Sequence, residues 1–204
     1  LVLHCKFDGE TKDEVTSTYG IGNAVPTSDR FGRPNRAWYF NGTNYYVEFP
    51  DAAILDLTNF TISIWVRIYE PSTPPPESQN MPIITKDDNY RLYAEKSGSS
   101  FSGRFYDENG IHNLGEYFGY SYGRPYHVVY SFGYPLGVAA LYVNRQRMAV
   151  MGTQGVPATN NYTLRIGDND DPSRPVFYGA IDSLRIYNRA LEPSEVEALY
   201  FVDE

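Results

Sequence analysis

The stretch FTISIWVRIY at 60–69 alternates without a break: Phe60, Ile62, Ile64, Val66 and Ile68 fall on one side, and Thr61, Ser63, Trp65, Arg67 and Tyr69 on the other. A period of two belongs to a strand with distinct faces; a helix, at 3.6 residues per turn, would scatter those isoleucines around its surface. Similar runs recur in LVLHCKF, AWYFNG, YYVEF, MPIITK, YRLYAEK, HVVYSF, VAALYVNRQRMAV, YTLRIG and GAIDSLRIYNRAL, each bounded by Gly, Pro, Asn or Asp. About ten such strands predict an all-β fold of two packed antiparallel sheets. VNRQRM predicts a hairpin turn around Arg145 and Gln146, with Ala140 to Val143 pairing back onto Met148 to Met151.

Only the tail has a helical signature. In EPSEVEALYF, Pro193 suits a first helical turn, acidic residues lie at the amino-terminal end, and Val196, Leu199 and Tyr200 share a side. This short helix is expected to cap the sandwich. PSTPPPESQ at 71–79 cannot enter a central strand and reads as an exposed connection. With no repeat and no separating linker, the 204 residues are expected to form one domain, 1–204.

Composition narrows the function classes. A net charge of −8 argues against nucleic acid or an anionic membrane surface as a partner, and no apolar run is long enough for membrane insertion. The single Cys5 excludes an intramolecular disulfide. LVLHCKFDG lacks the basic start and cleavage site of a signal peptide, so Leu1 is expected to follow a removed segment or an artificial boundary. Glycosylation acceptor patterns at Asn41, Asn59 and Asn161 carry little weight, because about two would arise by chance.

Asp182 is the residue out of place. Strict alternation through GAIDSLRIYNRAL sets it on one face with Ala180, Leu184 and Ile186, where an ionised carboxylate is costly unless compensated. The alternatives are a catalytic acid, a metal ligand and a hydrogen-bonded anchor.

In order along the chain, an opening strand ending in FDG, then DRFGRPNRAWYFNG, YYVEFP, FTISIWVRI, HVVYSF with LYVN, LRIGD, GAIDSLRIYNRAL and SEVEALY together resemble the laminin-G-like, concanavalin A-like jelly-roll domains. The likeness covers essentially the whole chain. It implies a jelly-roll sandwich with a short carboxy-terminal helix, acting as a non-catalytic, lectin-like or adhesion module of a secreted or cell-surface protein, with a glycan or glycoprotein surface and other domains of the parent chain as partners. It also implies a structural calcium where the opening strand meets the final one. The matching positions are Asp8 in FDG and Asp182 in GAID, with Asn41 and Gly42 in FNG and Asp13 as further members. Two departures, Tyr126 where the family has Trp and VNRQ in place of VNG, bear on any ligand specificity rather than on the fold.

Catalysis finds little support in the residues. Glycoside hydrolysis needs two facing carboxylates, and the E-x-D-x-x-E strand of the jelly-roll glucanases is missing; the acids of DDNYRLYAE and YDENG sit in turns or among basic residues. His127 reads as a core histidine, and His4 and His112 have no paired nucleophile. Calcium accepts hard oxygens from distant loops and would tie the two chain ends together; the alternative is that Asp182 accepts backbone amides with no ion. GDNDDP at 167–172 reads as a solvated turn.

Sugar rings present apolar faces to aromatic side chains. In LGEYFGYSYGRPYHVVYSF the rings of Tyr117, Phe118, Tyr120 and Tyr122 fall in a Gly-rich loop and are the candidate platform, whereas Tyr126, Tyr130 and Phe132 alternate as core. The alternative is that the loop rings only cover a sheet edge. Trp65, on the polar face of its strand, is a candidate for a concave binding surface or for packing under a loop; Trp38 reads as core.

Overall fold

The computed structural model describes residues 1–71, 80–95, 99–116, 118–133, 135–153, 155–169 and 176–202. In chain order the strands are β1 (Leu3–Cys5), β2 (Ile21–Gly22), β3 (Val25–Thr27), β4 (Ala37–Asn41), β5 (Val47–Phe49), β6 (Phe60–Ile68), β7 (Met81–Lys86), β8 (Tyr90–Glu95), β9 (Ser100–Asp107), β10 (Gly110–Glu116), β11 (Pro125–Gly133), β12 (Val138–Val143), β13 (Gln146–Gly152), β14 (Leu164–Ile166) and β15 (Tyr178–Tyr187), and the helix α1 is Pro193–Tyr200. They form two antiparallel sheets. One runs β13-β12-β11-β6-β15-β4-β3, with β1 also paired to β15, and the other runs β10-β9-β8-β7-β14-β5-β2. This is the jelly-roll sandwich expected from the alternation.

Strand β6 lies in the middle of its sheet between β11 and β15, with Ile62, Ile64 and Ile68 fully buried between the sheets. Tyr90, Phe101 and Phe105 of the opposite sheet meet Phe60, Tyr126 and Phe132 across that interface. A buried tyrosine, Tyr130, explains a gap in the alternation of β9. A side chain on Gly103 would put its Cβ 2.4 Å from the Tyr130 ring, so the strand carries a glycine there. Strand β9, with its partner β10 and the edge strands β2 and β3, does not read as a strand from its sequence because its inward row is interrupted. At one end of the sandwich Lys86 is fully buried, and its ammonium is compensated by Asp51 at 2.8 Å, Asp56 at 3.1 Å and the Tyr162 carbonyl at 2.7 Å.

Two local details differ from expectation. The β12–β13 hairpin turns at Asn144 and Arg145, both at positive φ, with Val143 opposite Gln146. Both central residues of the tightest hairpin turn need positive φ, which Asn tolerates well, so the turn starts one residue earlier than expected. The Asn144 side chain also accepts the His127 backbone N–H at 3.0 Å.

The second difference concerns Asp182. Strand β15 bulges between Asp182 and Arg185, where Asp182 faces Trp65 and Arg185 faces Ser63, with Ser183 at φ +49°. The extra residue reverses the alternation. Ile181, Leu184 and Ile186 point into the core, while Ala180 and Asp182 line a recess on the outer face with Trp65 and Arg67. Asp182 therefore does not share the apolar face with Leu184 and Ile186.

Helix α1 and the segment before it close the same outer face at its far end, packing Leu191, Val196 and Leu199 on Val129, Ala140 and Tyr142. The Glu195 carboxylate accepts the Glu192 N–H at 2.9 Å and both Arg189 guanidinium nitrogens at 2.7 Å, which ties down the first turn.

Candidate functional site

The outer face of the β6–β15–β4 sheet divides into a covered part and an open part. In the covered part Asp182, 5% exposed, receives Arg30 Nη1 at 2.6 Å, and Arg30 Nη2 donates to the Val202 carbonyl at 2.8 Å beyond the helix. Burial pushes the Asp182 carboxyl up to about 6 against the pull of that guanidinium. Arg30 also lies 4.7 Å above Trp65, which stacks on His127 at 5.1 Å and meets Tyr200 of α1 at 5.1 Å. Trp65 is thus packed between a loop and the helix. His127 Nε2 is 2.8 Å from Ser63 Oγ, and burial pulls its imidazole down to about 3, so it is neutral.

The loop that delivers Arg30 is built on Asp29. Its carboxylate accepts the N–H groups of Phe31 at 2.9 Å and Arg33 at 2.8 Å and the Arg33 side chain at 2.6 Å, and Gly32 completes the turn at φ +82°. Burial alone would raise the Asp29 carboxyl, but these hydrogen bonds hold it below its usual range.

The open part carries four part-exposed tyrosines from four segments: Tyr39 of β4, Tyr45 of the following turn, Tyr69 just past β6 and Tyr178 of β15. Tyr39 lies 6.2 Å from Tyr45, 6.1 Å from Tyr69 and 6.2 Å from Tyr178, and Tyr69 lies 5.8 Å from Tyr178. Burial, with a hydrogen bond to Tyr178, raises the Tyr39 phenol above its ordinary value. Ala180 pairs with Tyr39 on one side and Arg67 on the other, so Arg67 borders the group across one small residue. The segment after β10 closes the rim: Gly123 donates to the Ile68 carbonyl at 2.7 Å, and Pro125 pairs with Arg67.

The residues expected to hold calcium are dispersed among protein donors. Asp8 lies 3.6 Å from Arg36. Asp13 accepts the N–H groups of His4, Val15 and Thr16 and the Thr16 hydroxyl, capping a turn. Asn41 Oδ1 accepts the N–H groups of Thr43, Asn44 and Tyr45 at 3.0, 3.0 and 3.1 Å. Gly42, at φ +74°, passes so close to Tyr178 that a Cβ would come within 3.1 Å of that side chain. The FNG motif therefore shapes the turn that sets Tyr45 beside Tyr39. Asp182 holds Arg30. Among the described residues no three His, Cys, Asp or Glu side chains gather into a metal-binding group, and a guanidinium 2.6 Å from Asp182 opposes a cation there, so this arrangement does not fit a calcium shell.

Of the expected platform rings, Tyr120 is 5% exposed and packs on Phe101 at 5.5 Å, so its phenol belongs to the core. Tyr122, 37% exposed, stays at the surface on the loop anchored to Ile68. Tyr117 lies outside the described residues. Of the rings that do assemble, Tyr69 lies on the face that alternation in FTISIWVRIY sets apart from the isoleucines, whereas Tyr39, Tyr45 and Tyr178 come from AWYFNG, YYVEF and the start of β15 with no such signal.

Two further arrangements have chemical character. Thr153 Oγ1, His112 and Asp107 align, with His112 Nδ1 3.2 Å from the hydroxyl and Nε2 2.7 Å from the carboxylate. The His112 ring is stacked on Phe105 at 4.5 Å, and the three side chains lie away from the 220 Å³ cleft lined by Val2, Phe49, Ile54 and Leu55. They tie the β9–β10 hairpin to the segment after β13. On the outer face of the second sheet Arg91, Arg104 and Arg165 lie over Tyr106, Tyr93 and Tyr46 at 4.7–4.9 Å, each also paired with acids.

Comparison with solved structures finds domains of the same fold. Domain 4 of AbnA, an extracellular arabinanase from Geobacillus stearothermophilus solved with arabinotriose, superposes with a TM-score of 0.75 at 21% identity, over 98% of each chain. The binding domain of Paraclostridial Mosquitocidal Protein 1 gives 0.74 at 18%, over 98% of this chain and 51% of that one. The CBM40 of the Ruminococcus gnavus IT-sialidase, bound to α2,3-sialyllactose, gives 0.64 at 13%, over 80% and 96%. No curated protein matches the chain. Residues 41–197 match the profile of the Concanavalin A-like lectin/glucanases superfamily, and the chain belongs to that family.

Proposed function

We propose that this domain is a non-catalytic carbohydrate-binding module of a larger secreted or cell-surface protein, and that the site formed by Tyr39, Tyr45, Tyr69 and Tyr178 is where the saccharide docks. The observation that carries the reading is the convergence of four part-exposed rings from separate segments on one open sheet face. Clustered aromatic surface beside polar side chains suits the apolar face and hydroxyls of a sugar. Two solved domains of the same fold were captured with oligosaccharides, arabinotriose and α2,3-sialyllactose. Calcium plays no part in this reading, because the expected ligands are engaged by protein donors.

A glycan array followed by calorimetric titration tests it. Wild-type protein is expected to bind at least one oligosaccharide, and Tyr39→Ala or Tyr178→Ala to weaken that binding at least tenfold, about 1.4 kcal/mol, with the fold intact by circular dichroism. Full binding by both variants would remove the tyrosine site.

A protein-interaction role has one observation in its favour. Phe31, 58% exposed, is held between the guanidinium groups of Arg30 at 4.5 Å and Arg33 at 4.8 Å on a pre-formed turn, and rigid aromatic and arginine side chains are common anchors at interfaces. Phe31→Ala separates the two: it is expected to leave glycan binding unchanged.

A further inference from the structure

We infer that the saccharide taken by the tyrosine site is anionic, carrying a carboxylate that Arg67 receives with Arg124 at the rim. This rests on the carbohydrate-binding reading above and adds the class of sugar. The argument starts from how arginines are neutralised in a chain of net charge −8. Eight of them lie 2.6–3.8 Å from a carboxylate. Arg67 and Arg124 have no carboxylate at that range among the described residues, and Arg147, which also has none, sits on the edge strand β13.

Arg67 is also the one that borders the rings. It faces Tyr39 across Ala180, precedes Tyr69 by two residues on the same strand face, and pairs with Pro125, the residue after Arg124. Among the described residues its hydrogen bond is a single long one, Nη2 to the Asp29 carbonyl at 3.3 Å, and its buried Nε has no partner there. The two nearby carboxylates are already committed, Asp29 to Arg33 and Asp182 to Arg30, both at 2.6 Å. Glu70, exposed beyond Tyr69, pairs with neither Arg67 nor Arg124. Among the described residues Arg67 therefore carries an uncompensated charge beside the aromatic group, and Arg124 adds another one residue before its strand partner Pro125. A part-buried guanidinium without a counter-charge is a strong recognition element for a carboxylate, which it binds in a planar, charge-assisted geometry.

The test titrates the whole domain with matched pairs that differ in one feature: α2,3-sialyllactose against lactose, and a galacturonic acid trimer against a galactose trimer. The acidic member of at least one pair is expected to bind at least tenfold more tightly at low salt, and the advantage to shrink as salt rises. Arg67→Gln is expected to bring that member down to its neutral counterpart, and the exposed Arg124→Ala to lower it in part, with melting temperature as the control for folding. Equal binding of acidic and neutral members by wild type would overturn the inference while the tyrosine site stands. A preference that survives both substitutions would overturn the assignment to these arginines. No binding to a wider glycan array would remove the carbohydrate reading itself.

Discussion

Arg30 Nη1 sits 2.6 Å from Asp182 Oδ2, joining a loop before β4 to the bulge of β15, 152 residues further on. Both side chains are nearly closed off from solvent, at 4% and 7%. The same guanidinium holds the Val202 carbonyl and covers Trp65. The pair thus offsets part of the cost of burying the carboxylate.

Removing one partner of a buried ion pair strands the other, which costs about 3–5 kcal/mol. Arg30→Ala is expected to destabilise the domain by about that amount in urea denaturation, and Asp182→Asn by less, because a neutral amide keeps a hydrogen bond to Arg30. If Arg30→Ala costs under about 0.5 kcal/mol, the range of a surface substitution, the pair is not what holds this corner.

The His127 imidazole, pulled down to about 3 by burial and then by Arg185 and Arg30, stays neutral where an unfolded histidine would take a proton. Its contribution is full above pH 6.5 and is lost as pH falls toward 3, up to about 5 kcal/mol. Asp182 works with the opposite sign. Its folded value, raised from 3.8 to about 6, favours the folded state below 3.8 and loses that contribution as pH rises through 6, offsetting up to about 3 kcal/mol. Stability measured between pH 7 and pH 4 is expected to fall, and His127→Gln to flatten that fall; an unchanged slope would discount the histidine.

Chelation bears on the calcium expected from the family resemblance. Because Asp13 and Asp182 already have protein partners, excess EDTA is expected to move the melting temperature by less than about 1 °C. A drop of about 2–4 °C or more, roughly the effect of 1 kcal/mol in a domain of this size, would restore the ion.

Asn41→Ala withdraws the acceptor of three backbone N–H groups in the turn that carries Tyr45. Its expected cost is about 1–2 kcal/mol of stability, together with weaker saccharide binding, since Tyr45 loses its fixed place beside Tyr39. Titration and thermal melting read the two effects separately.

Much of the fold was legible because alternation is local. Phe60 to Ile68, Tyr126 to Phe132 and the tail helix needed only the period of their own segment. Where another part of the molecule intervened, the reading shifted: Gly103 yields to Tyr130 from the opposite sheet, and Asn144 sets the hairpin one residue early. Tyr120, placed in a Gly-rich loop, proved to be core because Phe101 lies beneath it.

The regularly alternating strands, such as β6 and β11, and the closing helix follow from the sequence alone, since side-chain direction in a strand is set by covalent geometry. Only the tertiary structure decided what the outer face does. One inserted residue at Ser183 turned Asp182 outward to Arg30, and the pairing of β4, β15 and β6 gathered Tyr39, Tyr178 and Tyr69 beside Arg67. Such meetings depend on register between strands far apart in the chain, and the period within a single segment carries no record of it.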